Sequence, residues 1–240
     1  MTRTTSPAET REKYKKDFGD ELGAALYAFE SRLFQLHRRW RDYDVLYFSK
    51  LRVEVLNGFA NAFFGRHQQM TFECVIMALA RLTDPLRSGR FDNLSIDYIH
   101  SLLPLEVRNG LLDCRTAITE KSEFARRWRH KFLAHHDLQH ALDQAEAFDP
   151  VKWQEIEEAI ISINTYIERL HYLTIGSEYR LEISMRSNDI GGAQVLLTRV
   201  HQANKARKAH YDRIMSGDIR EEDLKGDDDE VLRELRGYRS

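Results

Sequence analysis

Leu22, Leu26, Phe29, Leu33, Leu36 and Trp40 recur at spacings of four and three, which lines them along one face of a helix. The opposite face carries Glu30, Arg32, Arg38 and Arg39. A second helix is expected from about Asp42 to Phe64, with Leu46, Val53, Leu56, Ala60 and Phe63 on its apolar side and Gly65 as its stop. A third is expected from about His67 to Thr83. Its run Cys74-Val75-Ile76-Met77-Ala78-Leu79-Ala80 is apolar around the whole circumference, which predicts a central place in a bundle. Asp84-Pro85 ends it.

Arg87 to Asn93 reads as a turn-rich connection, and Ser95 as the cap of a short helix ending before Pro104. Leu105 to about Glu120 predicts one helix. Ser122 is placed to cap the next, whose inward side is Phe124, Trp128 and Phe132. Asp149-Pro150 pairs a capping aspartate with a proline suited to a first helical turn. The helix behind it carries Ile156, Ile160, Ile163, Ile167 and Leu170 at the same four-three spacing, until Gly176. Beyond that, Tyr179, Leu181, Ile183 and Met185 alternate with polar residues, a strand period. A helix from about Ile190 to Met215 and a charged tail follow. The reading is an all-α protein: a flexible N-terminus over 1–17, a helical bundle over 18–175, and a C-terminal extension over 176–240 with a short strand and a helix.

Composition narrows the class. Apolar residues make up 42% and charged residues 31% of the 240, which suits a globular chain. The net charge of -2 gives no overall pull towards nucleic acid or membrane, so any polyanion binding must come from local clusters. Cys74 and Cys114 lack metal or disulfide spacing and read as buried thiols. No leader or membrane span is evident. The expectation is a cytoplasmic protein that uses no membrane and no cofactor.

Candidate chemistry concentrates in Arg126-Arg127-Trp128-Arg129-His130-Lys131-Phe132-Leu133-Ala134-His135-His136-Asp137. Three readings compete. His136 and His140 have metal-ligand spacing on a helix, but Asp137 stands where the zincin pattern needs glutamate, and no further ligand is obvious; no metal is expected. The arginines could instead pair with an acidic helix face. Or the segment could cut a phosphodiester without metal, a histidine moving the proton of the ribose 2'-OH and an arginine fork stabilising the phosphorane-like transition state. Arg129 and His135 are six residues apart, about 120° and about 9 Å on a continuous helix. One such pair does not close a site. Two copies across a two-fold axis could line one groove.

Arg129-His130-Lys131-Phe132-Leu133-Ala134-His135-His136-Asp137 resembles the signature of the HEPN superfamily: an arginine, a polar neighbour, then a histidine four to six residues on. Together with Arg81-Leu82-Thr83-Asp84-Pro85 and Asn93-Leu94-Ser95 it is closer to the abortive-infection, AbiU-type branch, over about residues 20 to 175. The resemblance implies a helical bundle that dimerises into a composite, metal-independent ribonuclease site, often in toxins of phage defence or toxin-antitoxin systems. On it, Arg129 binds phosphate, His135 is the catalytic base or acid, and His130 is the polar helper. Lys131 and Asp137 match the branch pattern, and Asp137 could orient a histidine. His136 also falls within the allowed spacing. Arg126 and Arg127 would flank the site and meet the RNA backbone. The partners implied are RNA, a second copy of the chain, and a cognate antitoxin. The alternative is a non-catalytic HEPN-like module that binds a nucleotide, nucleic acid or partner protein.

Overall fold

The computed structural model of the protein describes residues 6–130, 150–179 and 192–220. Helix α1 spans Pro7–Phe18. The Ser6 hydroxyl accepts from the Glu9 backbone N–H at 3.2 Å, and the Glu9 carboxylate accepts from the Ser6 N–H at 2.8 Å. Composition predicts a loose end here. The reciprocal cap and the docking of Tyr14 and Phe18 on the core make it a helix instead.

Helix α2 spans Asp20–Tyr47. Its stripe from Leu22 to Trp40 is buried as expected, but the helix does not end near Asp42, because Tyr43, Leu46 and Tyr47 extend the same buried face. Helix α3 spans Lys50–Leu82, and the Ser49 hydroxyl accepts from the Arg52 N–H at 3.4 Å. Gly65 lies inside α3 and stops nothing. The interruption comes at Ala60, whose φ of -151° and ψ of 70° leave the helical region. Val75, Ile76, Leu79 and Ala80 take the core side. Cys74, read as a buried thiol, is exposed, and Cys114 is half-buried.

A short antiparallel hairpin follows, β1 (Arg87–Ser88) and β2 (Phe91–Asp92), turning at Gly89 with φ of 63°. It contains the only strands among the described residues. Helices α4 (Ile96–Ser101), α5 (Leu105–Gly110), α6 (Leu112–Lys121) and α7 (Glu123–Trp128) come next. Ser95 caps α4 through its hydroxyl, 3.4 Å from the Tyr98 N–H. The single helix predicted from Leu105 breaks at Leu111 (φ -112°, ψ 0°). Helix α8 spans Trp153–Ile175 and α9 spans Gly192–Met215. The start of α8 is set by Glu155, which accepts from the Lys152 N–H at 2.7 Å, and not by Pro150. Gly176, at φ of 66°, closes it. The strand expected after Tyr179 lies outside the described residues.

Among the described residues the fold is all-α apart from the short hairpin, and α2 is its axis. Helix α3 runs back along α2: the Tyr47 hydroxyl lies 2.7 Å from His67 Nδ1, and the Tyr43 and Phe72 rings sit 6.0 Å apart. Helix α8 runs back along another side, where buried polar pairs cross the interface. His37 Nε2 lies 2.8 Å from Asn164 Oδ1, and His171 Nε2 lies 2.7 Å from Glu30 Oε1. The Tyr14 hydroxyl donates to Glu30 Oε2 at 2.6 Å. Glu30 therefore leaves the polar face where its sequence position suggests it, and enters the core with partners on two helices.

Helix α9 packs on α3 and α2. Asn204 Nδ2 donates to the Val55 carbonyl at 2.7 Å, and Arg207 donates to the Gly58 carbonyl. An interruption at Ala60 disturbs the i to i-4 ladder of the preceding turn, and these two side chains supply donors to that turn.

Candidate active site

Helix α7 is short but firmly seated. Phe124 and Ala125 are buried, and the Trp128 ring meets Phe72 of α3 edge-on at 5.6 Å. Ser122 does not cap it with a side-chain bond. Its hydroxyl donates to the Ile118 carbonyl at 2.6 Å and accepts from Arg126 at 2.6 Å. The chain then widens into a π turn at Arg129 and His130.

The three arginines of this segment reach different surroundings. Arg126 donates to the carbonyls of Thr83 (3.3 Å) and Thr119 (2.6 Å), tying α7 to the ends of α3 and α6. Burial pulls its pKa below the ordinary arginine value, against the opposing pull of Glu123, Asp84 and Asp97. Its donors serve the fold. Arg127 is exposed and lines a hollow of about 340 Å³ beside Trp128 and Lys152. Arg129 turns towards α3, where one terminal nitrogen bonds both carboxylate oxygens of Asp84.

This ion pair is the best-defined part of the site. The Asp84 side chain is 9% exposed, and that of Arg129 is 26% exposed. The carboxylate is therefore covered while the guanidinium still reaches solvent. Arginine has five N–H donors in a planar fork. Nε and the second terminal nitrogen of Arg129 bond no described residue. The side chain faces a cleft of about 860 Å³ between α2 and α3, lined among others by Arg32, Gln35, Arg39 and Arg81.

The HEPN_AbiU2 family model, described as AbiU2, matches residues 19–189. The chain belongs to this family. No curated protein and no solved structure matches it. The AbiU2 match covers the axis α2, the interrupted α3, the α7 segment and α8, so the Arg129–Asp84 pair sits within the family domain.

Of the AbiU2 residues singled out by sequence, Arg129 lines the cleft and His130 is exposed at its edge of the π turn. Lys131, His135, His136 and Asp137 lie outside the described residues. Asp84 was visible only as part of a family-like phrase, with no role attached. Its function as the seat of Arg129 needs the fold, because 45 residues separate the two. Arg32 and Arg39 read as an ordinary solvated face. Among the described residues no three His, Cys, Asp or Glu side chains gather as a metal site would require, and no helix is long and apolar enough to cross a membrane.

Proposed function

We propose that the protein is a metal-independent endoribonuclease of the HEPN type, acting as an abortive-infection or toxin effector through a composite site in a homodimer. The observation that carries this is Arg129, held by the buried Asp84 and lining a cleft with Arg32, Arg39 and Arg81, six residues ahead of His135 in the sequence. Family membership supports the same reading. A histidine removes the ribose 2'-OH proton, and the 2' oxygen attacks phosphorus. Arg129 takes the charge that develops on the non-bridging oxygens. The 5' oxygen leaves with a proton delivered by the second histidine of the dimer. The products are a 2',3'-cyclic phosphate and a 5'-hydroxyl.

The test is RNA cleavage in EDTA by the wild type beside Arg129→Ala and His135→Ala. Expected are cyclic-phosphate ends from the wild type alone. Absence of cleavage, or equal cleavage by all three, overturns the reading. One observation favours a second reading: the Arg129–Asp84 pair is also a clasp between α7 and α3, which a non-catalytic module binding a nucleotide or partner protein would need as well. In that case the proteins bind without cutting, and every effect of Arg129 tracks stability.

A further inference from the structure

We infer that Arg32, Arg39 and Arg81 form a backbone-binding track that leads a single RNA strand along the α2–α3 cleft to Arg129. Arg32 and Arg39 are seven residues apart on α2, which puts them on one face about 10 Å apart along the axis. Arg81 is on the last turn of α3, three residues before Asp84. All three are exposed, line the same cleft, and bond no described side chain. Both carboxylates among the described residues of the cleft are already engaged: Asp84 holds Arg129, and Asp92 accepts from Arg87 at 2.7 Å. Among the described residues of the cleft, the three guanidinium groups therefore have no free carboxylate to pair with, in a chain whose net charge is negative.

The chemistry favours a phosphate backbone. Planar forks at intervals suit successive phosphates. A protein partner would want an aromatic or large apolar anchor at the centre of its seat. Among the described residues the cleft has no aromatic lining, only Ala78, Leu82 and Leu94 as apolar residues. Guanidinium forks that meet phosphates and not base edges grip the strand independently of sequence. The inference rests on the ribonuclease reading for its substrate, but binding is measured apart from cutting.

The probe is a fluorescein-labelled single-stranded RNA of mixed sequence, followed by anisotropy in EDTA on the full chain across a salt series. Each of Arg32→Ala, Arg39→Ala and Arg81→Ala should weaken binding and take about 0.7 off the slope of log affinity against log salt. The triple variant should lose about 2. Arg38→Ala removes the same charge from the same helix, outside the cleft lining, and should leave the slope in place. An equal effect of Arg38→Ala, unchanged slopes in the three variants, absence of RNA binding, or equal capture of poly-glutamate through the same arginines each overturns the inference. Slopes that fall as expected in a protein that never cuts RNA uphold the track and defeat the ribonuclease reading. Cutting that persists with unchanged slopes does the reverse.

Discussion

Removing the guanidinium at Arg129 leaves the covered Asp84 carboxylate without its partner. Arg129→Ala should therefore cost about 1.5–3 kcal/mol of stability, in line with the loss of a charged hydrogen bond, read as a lowered midpoint in urea. Arg129→Lys keeps the charge and should keep most of the stability, while its single ammonium cannot hold Asp84 and a phosphate with one planar fork. Cleavage lost in Arg129→Lys at near wild-type stability separates the catalytic role from the clasp. His100 gives a prediction in pH. Its Nδ1 lies 3.0 Å from the Tyr166 hydroxyl and its Nε2 has no partner. Burial, helped by Arg115 and Arg108 and opposed by Asp97, lowers its pKa. The folded chain then binds fewer protons here than the unfolded chain once pH drops below about 6.5. The stabilising contribution of neutral His100 is complete above that pH and declines as acid is added. Thermal melts between pH 7 and pH 5 should show the wild type losing more than His100→Gln.

Among the elements, α1 and α2 approach so closely that a side chain on Gly23 has no room. A Cβ built there would lie 2.3 Å from the Tyr14 carbonyl oxygen and 2.7 Å from Lys15 Cα. Backbone cannot swing aside as a side-chain tip can, so Gly23→Ala should push α1 off α2 at a cost of about 1–3 kcal/mol. Amide exchange in α1 would report it, with α8 far less affected. Gly23 also marks where sequence reading reaches its limit. Periodicity revealed which faces of α2 and α8 are buried, because an apolar stripe has one destination, whereas in α3 Phe63, expected on the apolar side, is exposed. It did not reveal the break at Ala60 or the burial of Glu30. Those depend on donors arriving from Asn204, Arg207, Tyr14 and His171, all distant along the chain. Likewise, the Arg129 segment was legible from its density of titratable groups and its family phrase. Asp84 as its seat, and the separate surroundings of Arg126 and Arg127, were not, since neighbouring positions on a helix end diverge by about 100° each.

For the whole molecule, the composite-site proposal makes a distinctive demand. Arg129→Ala and His135→Ala should each be inactive alone, yet mixing them under conditions that exchange subunits should restore part of the cleavage, because each half brings what the other lacks. Activity that stays at the background of the separate variants would argue that each chain works alone. A wider consequence follows from α9 lying over the interruption in α3. The donors that serve Val55 and Gly58 come 149 residues later in the chain. At a synthesis rate of about 5–20 residues per second, the ribosome makes the interrupted helix about 7–30 s before it makes the residues that complete it. A nascent chain therefore holds the family's bundle in an unfinished form for that interval. Translation of α9 becomes a timer for when the interrupted helix first has its donors.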